Sequence, residues 1–129
     1  MFILNSRSVQ SNAPIEYIPC GAISVKVGDA LTVASGNAAK ATGTTVPTHV
    51  SVTEKVVDTA GELIGAVRIE DDMTFETALS ATATGIKVGA KHTIDTTGAL
   101  ITATTEGGVA EVVSFMGTAA GDPVIVRFK

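Results

Sequence analysis

The sequence predicts an all-β fold: a small single-domain β-sandwich or barrel of short strands, built from two related hairpin units and carrying an extended N-terminal arm. Three observations point there. First, 18 Thr, 16 Val and 10 Ile among 129 residues make about a third of the chain β-branched. Such side chains lose freedom in a helix and pack well on a pleated surface. Second, Leu, Met and Gln, straight-chain residues that favour helices, number only 5, 3 and 1. Third, 13 Gly divide the chain into short segments, spaced roughly 8–12 residues apart as in a sandwich or barrel. The length bounds the chain to one domain with a core of its own.

Residues 1–14 are expected to form the arm and residues 15–129 the β domain. Phe2-Ile3-Leu4 is an apolar tip, followed by Asn5-Ser6-Arg7-Ser8-Val9-Gln10-Ser11-Asn12-Ala13-Pro14, which has no period of 2 or 3.6. Such a segment is either a frayed end or an arm that orders against a neighbour. The apolar tip favours the second, with Phe2, Ile3 and Leu4 packing on another chain. Ile15–Ile18 is a strand between Pro14 and Pro19. Ala30–Ala34 meets Ala38–Thr42 across Ser35-Gly36-Asn37, a hairpin signal. His49–Val57 meets Glu62–Ile69 across Asp58-Thr59-Ala60-Gly61. Thr74–Thr84 is a long strand or includes a helical turn at Glu76–Ser80. Thr93–Asp95 and Ala99–Thr104 flank Thr96-Thr97-Gly98, and Val109–Phe115 and Val124–Phe128 close the chain.

An internal repeat orders these strands. Val25-Lys26-Val27-Gly28-Asp29-Ala30-Leu31-Thr32-Val33 resembles Ile86-Lys87-Val88-Gly89-Ala90-Lys91-His92-Thr93-Ile94, 61 residues later. Each copy continues to a glycine turn, Gly36 or Gly98, and then to Ala41-Thr42 or Ala103-Thr104. Residues 23–42 and 84–104 are therefore expected to form matching hairpins, with Leu31 and Val33 inward, Thr32 outward, and His92, Ile94 and Thr93 in the corresponding places.

Composition narrows the function. Nine basic and 13 acidic residues give a net charge of −4 with no basic run, so there is little to neutralise phosphates and no nucleic-acid partner is expected. No apolar run approaches a membrane span. One cysteine, Cys20, forms no intrachain disulfide, and the first residues are too short an apolar stretch for a signal peptide, so the chain reads as made and used without secretion. No nucleophile, metal or phosphate motif is present. His49 reads as an exposed strand-end residue, His92 as a packed or interface histidine, and Cys20 as a small buried hydrophobe. Glu70-Asp71-Asp72 lacks the alternation of a calcium loop and reads as a solvated turn, with a weak cation site as its alternative. No catalytic residue, cofactor or metal is expected.

Val25-Lys26-Val27-Gly28-Asp29-Ala30-Leu31, the glycine turn and Lys40-Ala41-Thr42 resemble the opening of the small capsid decoration (head cement) proteins of tailed bacteriophages. Leu63-Ile64-Gly65-Ala66-Val67 resembles their central strand, and Ile86-Lys87-Val88-Gly89 their second bend; Lys91-His92 departs from the pattern. The resemblance covers residues 20–129. It implies a structural, non-enzymatic virion protein on the capsid exterior, made in the host cytoplasm, with the major capsid protein as partner and a homotrimer or other homo-oligomer as its state. A tail or baseplate subunit, or a small ligand-binding β-barrel, is the alternative.

Overall fold

A computed structural model describes residues 1–8 and 12–129; residues 9–11 of the expected arm lie outside the described residues. The described residues are all β, without a helix. In chain order the strands are β1 (Ile3–Ser6), β2 (Ile15–Cys20), β3 (Ser24–Val25), β4 (Ala30–Val33), β5 (Ala38–Lys40), β6 (His49–Ser51), β7 (Lys55–Val56), β8 (Glu62–Arg68), β9 (Thr74–Ala78), β10 (Lys91–His92), β11 (Ala110–Phe115) and β12 (Pro123–Phe128). Strands β2, β5, β4, β6 and β8 close into a barrel. Strands β1, β9, β12, β11 and β10 form a five-stranded sheet, and β3 pairs with β7 as a separate ribbon.

Alternation explains the two cores. Cys20, Leu31, Ala38, Ile64 and Ala66 fill the barrel, with Val25 and Val57 from the ribbon region packed beside them. A larger core gathers Phe75, Leu79, Val112, Val124, Val126 and Phe128 from the second half, and Ala30, Ala41 and Val50 of the first half join it. That shared core ties the halves into one body. Their backbones are also joined, since Gly43 and Ile94 exchange N–H···O bonds at 2.8 and 3.0 Å.

The repeat extends well beyond the two hairpins. Asp29 N–H donates to Lys26 O and Ala90 N–H to Lys87 O, both at 3.2 Å. Gly28 and Gly89 sit at the left-handed position of these turns, with φ of 86° and 89°. Gly28 N–H then donates to Ser51 O and Gly89 N–H to Val112 O, both at 2.8 Å. Ala30 and Leu31 oppose Val50 and His49, just as Lys91 and His92 oppose Glu111 and Ala110. The parallel contact Cys20↔Ala38 that closes the barrel recurs as the bridge Leu79↔Ile101. At the far turns, Gly61 N–H donates to Cys20 O at 2.9 Å and Gly121 N–H to Leu79 O at 2.8 Å. Residues 15–68 and 74–128 thus share one arrangement, in which the second unit has four strands, β9 to β12, and only the bridges at Ile101 where the first has β5. The extra residue of the second hairpin is absorbed where Thr93 receives a bond from Thr102 N–H and donates to Thr104 O, both at 2.9 Å, a bulge that shifts the pairing to Ile94↔Ile101.

Those matched turns give a paired expectation. A Cβ on Gly89 would meet nothing within 4 Å, whereas one on Gly28 would lie 2.0 Å from Met1 Cγ and 3.0 Å from Met1 Cα. Gly89→Ala should cost about 1 kcal/mol, from positive φ alone. Gly28→Ala should cost about 1–2 kcal/mol more, because the segment before β1 must also move. Urea unfolding of the two variants checks the difference.

Several expectations need correction. The arm is not free over residues 3–6: Ile3, Leu4 and Ser6 pair antiparallel with Glu76, Phe75 and Thr74 of β9. Phe2 is 2% exposed, its ring 5.1 Å from that of Phe128, so it packs in its own chain's core rather than on another chain. Burial of such a ring is worth about 1.5–3 kcal/mol, and a partner inside the chain supplies it without a second molecule. The expected strand His49–Val57 breaks after Ser51, whose hydroxyl accepts from Thr53 N–H at 3.1 Å and donates to Thr53 O at 2.8 Å. This local loop turns β7 out of the barrel toward β3. His49 is buried, not exposed, because its ring lies between Thr48 and Glu16. Thr74–Ala78 is a strand and not a helical turn. Thr93 points into the fold rather than outward, its hydroxyl 2.6 Å from that of Thr102.

Candidate functional site

The surface beside β1 is a groove. Met1, Ile3 and Leu4 form one wall, and Val27, Val52 and Val67 form the other around a space of about 290 Å³. Of the residues singled out from sequence, Ile3 remains 54% exposed and Leu4 lies half-buried against the core. Phe2 lines the groove floor from within the core.

A second apolar surface adjoins this groove on the outside of the β2–β8 ladder. Successive residues of a strand point to opposite faces. Glu16, Ile18 and Cys20 take one side of β2, which leaves Ile15, Tyr17 and Pro19 on the other. Opposite them in register stand Val67, Gly65 and Leu63. No charged side chain interrupts these six positions, although Tyr17 is 72% and Leu63 56% exposed. A Cβ on Gly65 would lie 3.3 Å from both Ile15 Cγ2 and Val52 Cγ2. The missing side chain lets Ile15 and Val52 lean together over the strand and join the face to the groove. Sequence reasoning missed this surface. Its signal was present in Ile15-Glu16-Tyr17-Ile18-Pro19, a strand whose positions facing away from the core are all apolar. Contiguous exposed apolar surface of this kind marks an interaction site.

No family model matches this sequence, and no curated protein matches it.

One end of the barrel, next to the apolar face, is closed by charge. Arg68 donates to Glu16 twice, Nε to Oε2 at 2.8 Å and Nη2 to Oε1 at 2.9 Å. His49 Nε2 lies 3.5 Å from Oε1. The Arg68 hydrogen bond, helped by His49, holds the Glu16 carboxyl below its ordinary value of 4.5. Hydrogen bonds from the Ser8 hydroxyl and N–H lower Asp72 in the same way, and the Thr59 N–H and Lys55 lower Glu62. Each of these groups binds protons less readily folded than unfolded. Their stabilisation is therefore present above about pH 4.5 and is lost as pH falls through the folded values. The melting temperature should hold from about pH 7 to 5 and fall below about 4.5, and Glu16→Gln should make that fall shallower in a pH series of thermal melts.

The remaining candidates do not converge. Cys20 is buried in the barrel, and burial raises its thiol above the ordinary range, the opposite of an activated nucleophile. The Glu70-Asp71-Asp72 turn makes local contacts, Arg7 to Glu70 at 4.0 Å and Ser8 N–H to Asp72 at 2.7 Å. Among the described residues no cluster of His, Cys, Asp and Glu is arranged to hold a metal ion. His92 is buried where the first unit has Leu31. Its Nδ1–H donates to Thr102 O at 2.8 Å, and its buried Nε2 meets no hydrogen-bond partner among the described residues. It borders a cavity of about 320 Å³ that Thr82, Thr84 and Thr105 also line.

Proposed function

We propose that the chain is a structural virion protein, a decoration protein that binds the outer surface of a tailed-phage head and strengthens the shell. One observation carries this reading: a continuous, uncharged apolar surface, the groove at Ile3 and Leu4 together with the β2–β8 face, exposed on an all-β body. The resemblance of the Gly28 and Gly89 bends to the decoration proteins supports the same reading. The partner is the major capsid protein, engaged at the groove where Ile3 stands exposed beside Val27 and Val52. Shallow contacts of this size are individually weak, and binding is raised by repetition across the lattice of a shell. The net charge of −4 suits the capsid exterior better than an interior packed with DNA. The interior of the five-stranded barrel is filled by side chains, as in other small barrels, so the chain works through its outside.

The test is co-sedimentation with purified undecorated heads, followed by the survival of those heads under heat or chelator. The protein should pellet with the heads and raise their disruption temperature, and Val52→Asp should weaken pelleting at least tenfold while the free protein still melts cooperatively. Absence of the protein from the pellet, with no change in shell survival, would reject the virion reading in favour of a stand-alone binding module.

A further inference from the structure

The two units differ at one place that matters for assembly. In the second unit β9 is paired on both sides, with β12 on one edge and β1 on the other over Thr74–Glu76. In the first unit the corresponding strand is β2: Tyr17 faces Gly65 of β8 as Glu76 faces Ile125 of β12. One edge of β2 is paired with β8 throughout, but its other edge meets β5 only at Cys20↔Ala38. Among the described residues no backbone hydrogen bond reaches that edge over Ile15–Ile18. Among the described residues, the strand position that β1 occupies on β9 is therefore unfilled on β2.

An open edge of unpaired N–H and C=O groups is a template for another strand, and proteins that must stay apart blunt it with lysine or a bulge. Ile15–Ile18 has neither, its one charged residue, Glu16, faces the other side of the strand and is paired with Arg68, and Pro19 interrupts only its end. The outer face next to the edge is the uncharged one, with Ile15, Tyr17 and Pro19 exposed along it. Two chains of charge −4 repel over most of their surfaces. This face brings no carboxylate against its own copy.

We propose that a second copy of this chain covers the edge: β2 pairs antiparallel with β2 of its partner about a two-fold axis near Tyr17. Ile15 of each copy then lies across from the partner's Pro19, and the two Tyr17 rings sit side by side on one continuous face. An edge that pairs with itself closes after two copies, so the product is a pair and not a three-membered ring. A contact made by one short strand and its few side chains is smaller than a standard interface, so the pair is a reversible one. This inference does not rest on the virion reading, because it concerns the free protein.

Sedimentation equilibrium between about 1 and 300 μM tests it directly. The mass should rise from that of one 13.1 kDa chain toward twice that value. Tyr17→Asp should stay at one chain's mass across the range while melting within a few degrees of the parent. Tyr17→Cys, oxidised with copper–phenanthroline, should give a disulfide-linked dimer on a non-reducing gel; the parent, whose one thiol is buried, serves as control. A constant mass of one chain overturns the proposal. So does a trimer, or association that survives Tyr17→Asp without a cross-link at position 17. Binding to heads is measured separately and with Val52→Asp, so either result can fail alone.

Discussion

Replacing Phe2 by alanine should destabilise the protein by about 3–5 kcal/mol, one of the largest losses available at a single position. Phe2 is 2% exposed, and its ring meets Phe128 edge-on at 5.1 Å, while Phe128 in turn lies 5.4 Å from Phe75. Removing it takes away one end of a three-ring cluster that ties the start of β1 to β9 and β12, and edge-to-face pairs add about 0.5–1.5 kcal/mol beyond the area they bury. In a chain of this size the loss corresponds to a fall of roughly 10–20 °C in melting temperature. Ile3→Ala is the control: its side chain is 54% exposed, and the expected change is within about 1 kcal/mol. Urea unfolding of dilute protein distinguishes the cases. If Phe2→Ala left the midpoint unchanged, the ring would not be a member of its own chain's core.

A loss of about 3 kcal/mol or more is expected from Gly108→Ala. An added Cβ would lie 2.3 Å from Lys91 O, 2.4 Å from Lys91 C and 2.7 Å from His92 N. All three are backbone atoms, so no side chain can swing aside. The neighbouring bond from Val109 N–H to His92 O, at 3.0 Å, holds the start of β11 against β10, and the methyl group would force these strands apart. Gly85→Ala provides the contrast. Nothing lies within 4 Å of its added Cβ and its φ is not positive, so it should stabilise by about 0.4–1 kcal/mol by restricting the unfolded chain. Thermal and urea melts of both variants should therefore move in opposite directions. A Gly108→Ala protein as stable as the parent would mean that β10 can leave β11 at no cost.

Most strands and turns were legible because their signals are local; the strands expected at 93–95 and 99–104 hold only isolated bridges at Ile94 and Ile101, and the one expected from Thr74 ends at Ala78. Ser35-Gly36-Asn37 joins β4 to β5, and Gly28 and Gly89 take the left-handed position of the same turn. The repeat, noticed in two hairpins, proved to be the visible part of a larger duplication. Elsewhere, as between Tyr17 and Glu76 or Gly65 and Ile125, the correspondence lies in pairing and not in residue type. Hydrogen bonds of the main chain tolerate such replacements, so structure preserves a likeness that side chains have lost.

What sequence could not decide was which long-range partner each segment takes. His49 looked like an exposed strand end, since nothing nearby in the chain reveals that Glu16, 33 residues away, stands beside its ring. Phe2-Ile3-Leu4 looked like a tip seeking another molecule, since apolar character requires burial but does not name the surface. Only the assembled sheet shows β9 with a free edge ready for β1 and an aromatic pocket ready for Phe2. The same limit hid the candidate site. Alternation in Ile15–Pro19 reveals an apolar outer row, but whether that row is covered depends on its neighbours in space. The class of fold and its turns were thus determined by β-branched content and glycine positions, which act on φ, ψ and χ1 within a few residues. The capture of the arm, the burial of His49 and the open face at Tyr17 were decided by tertiary packing, because burial is a property of the surfaces that meet and not of the segments that carry them.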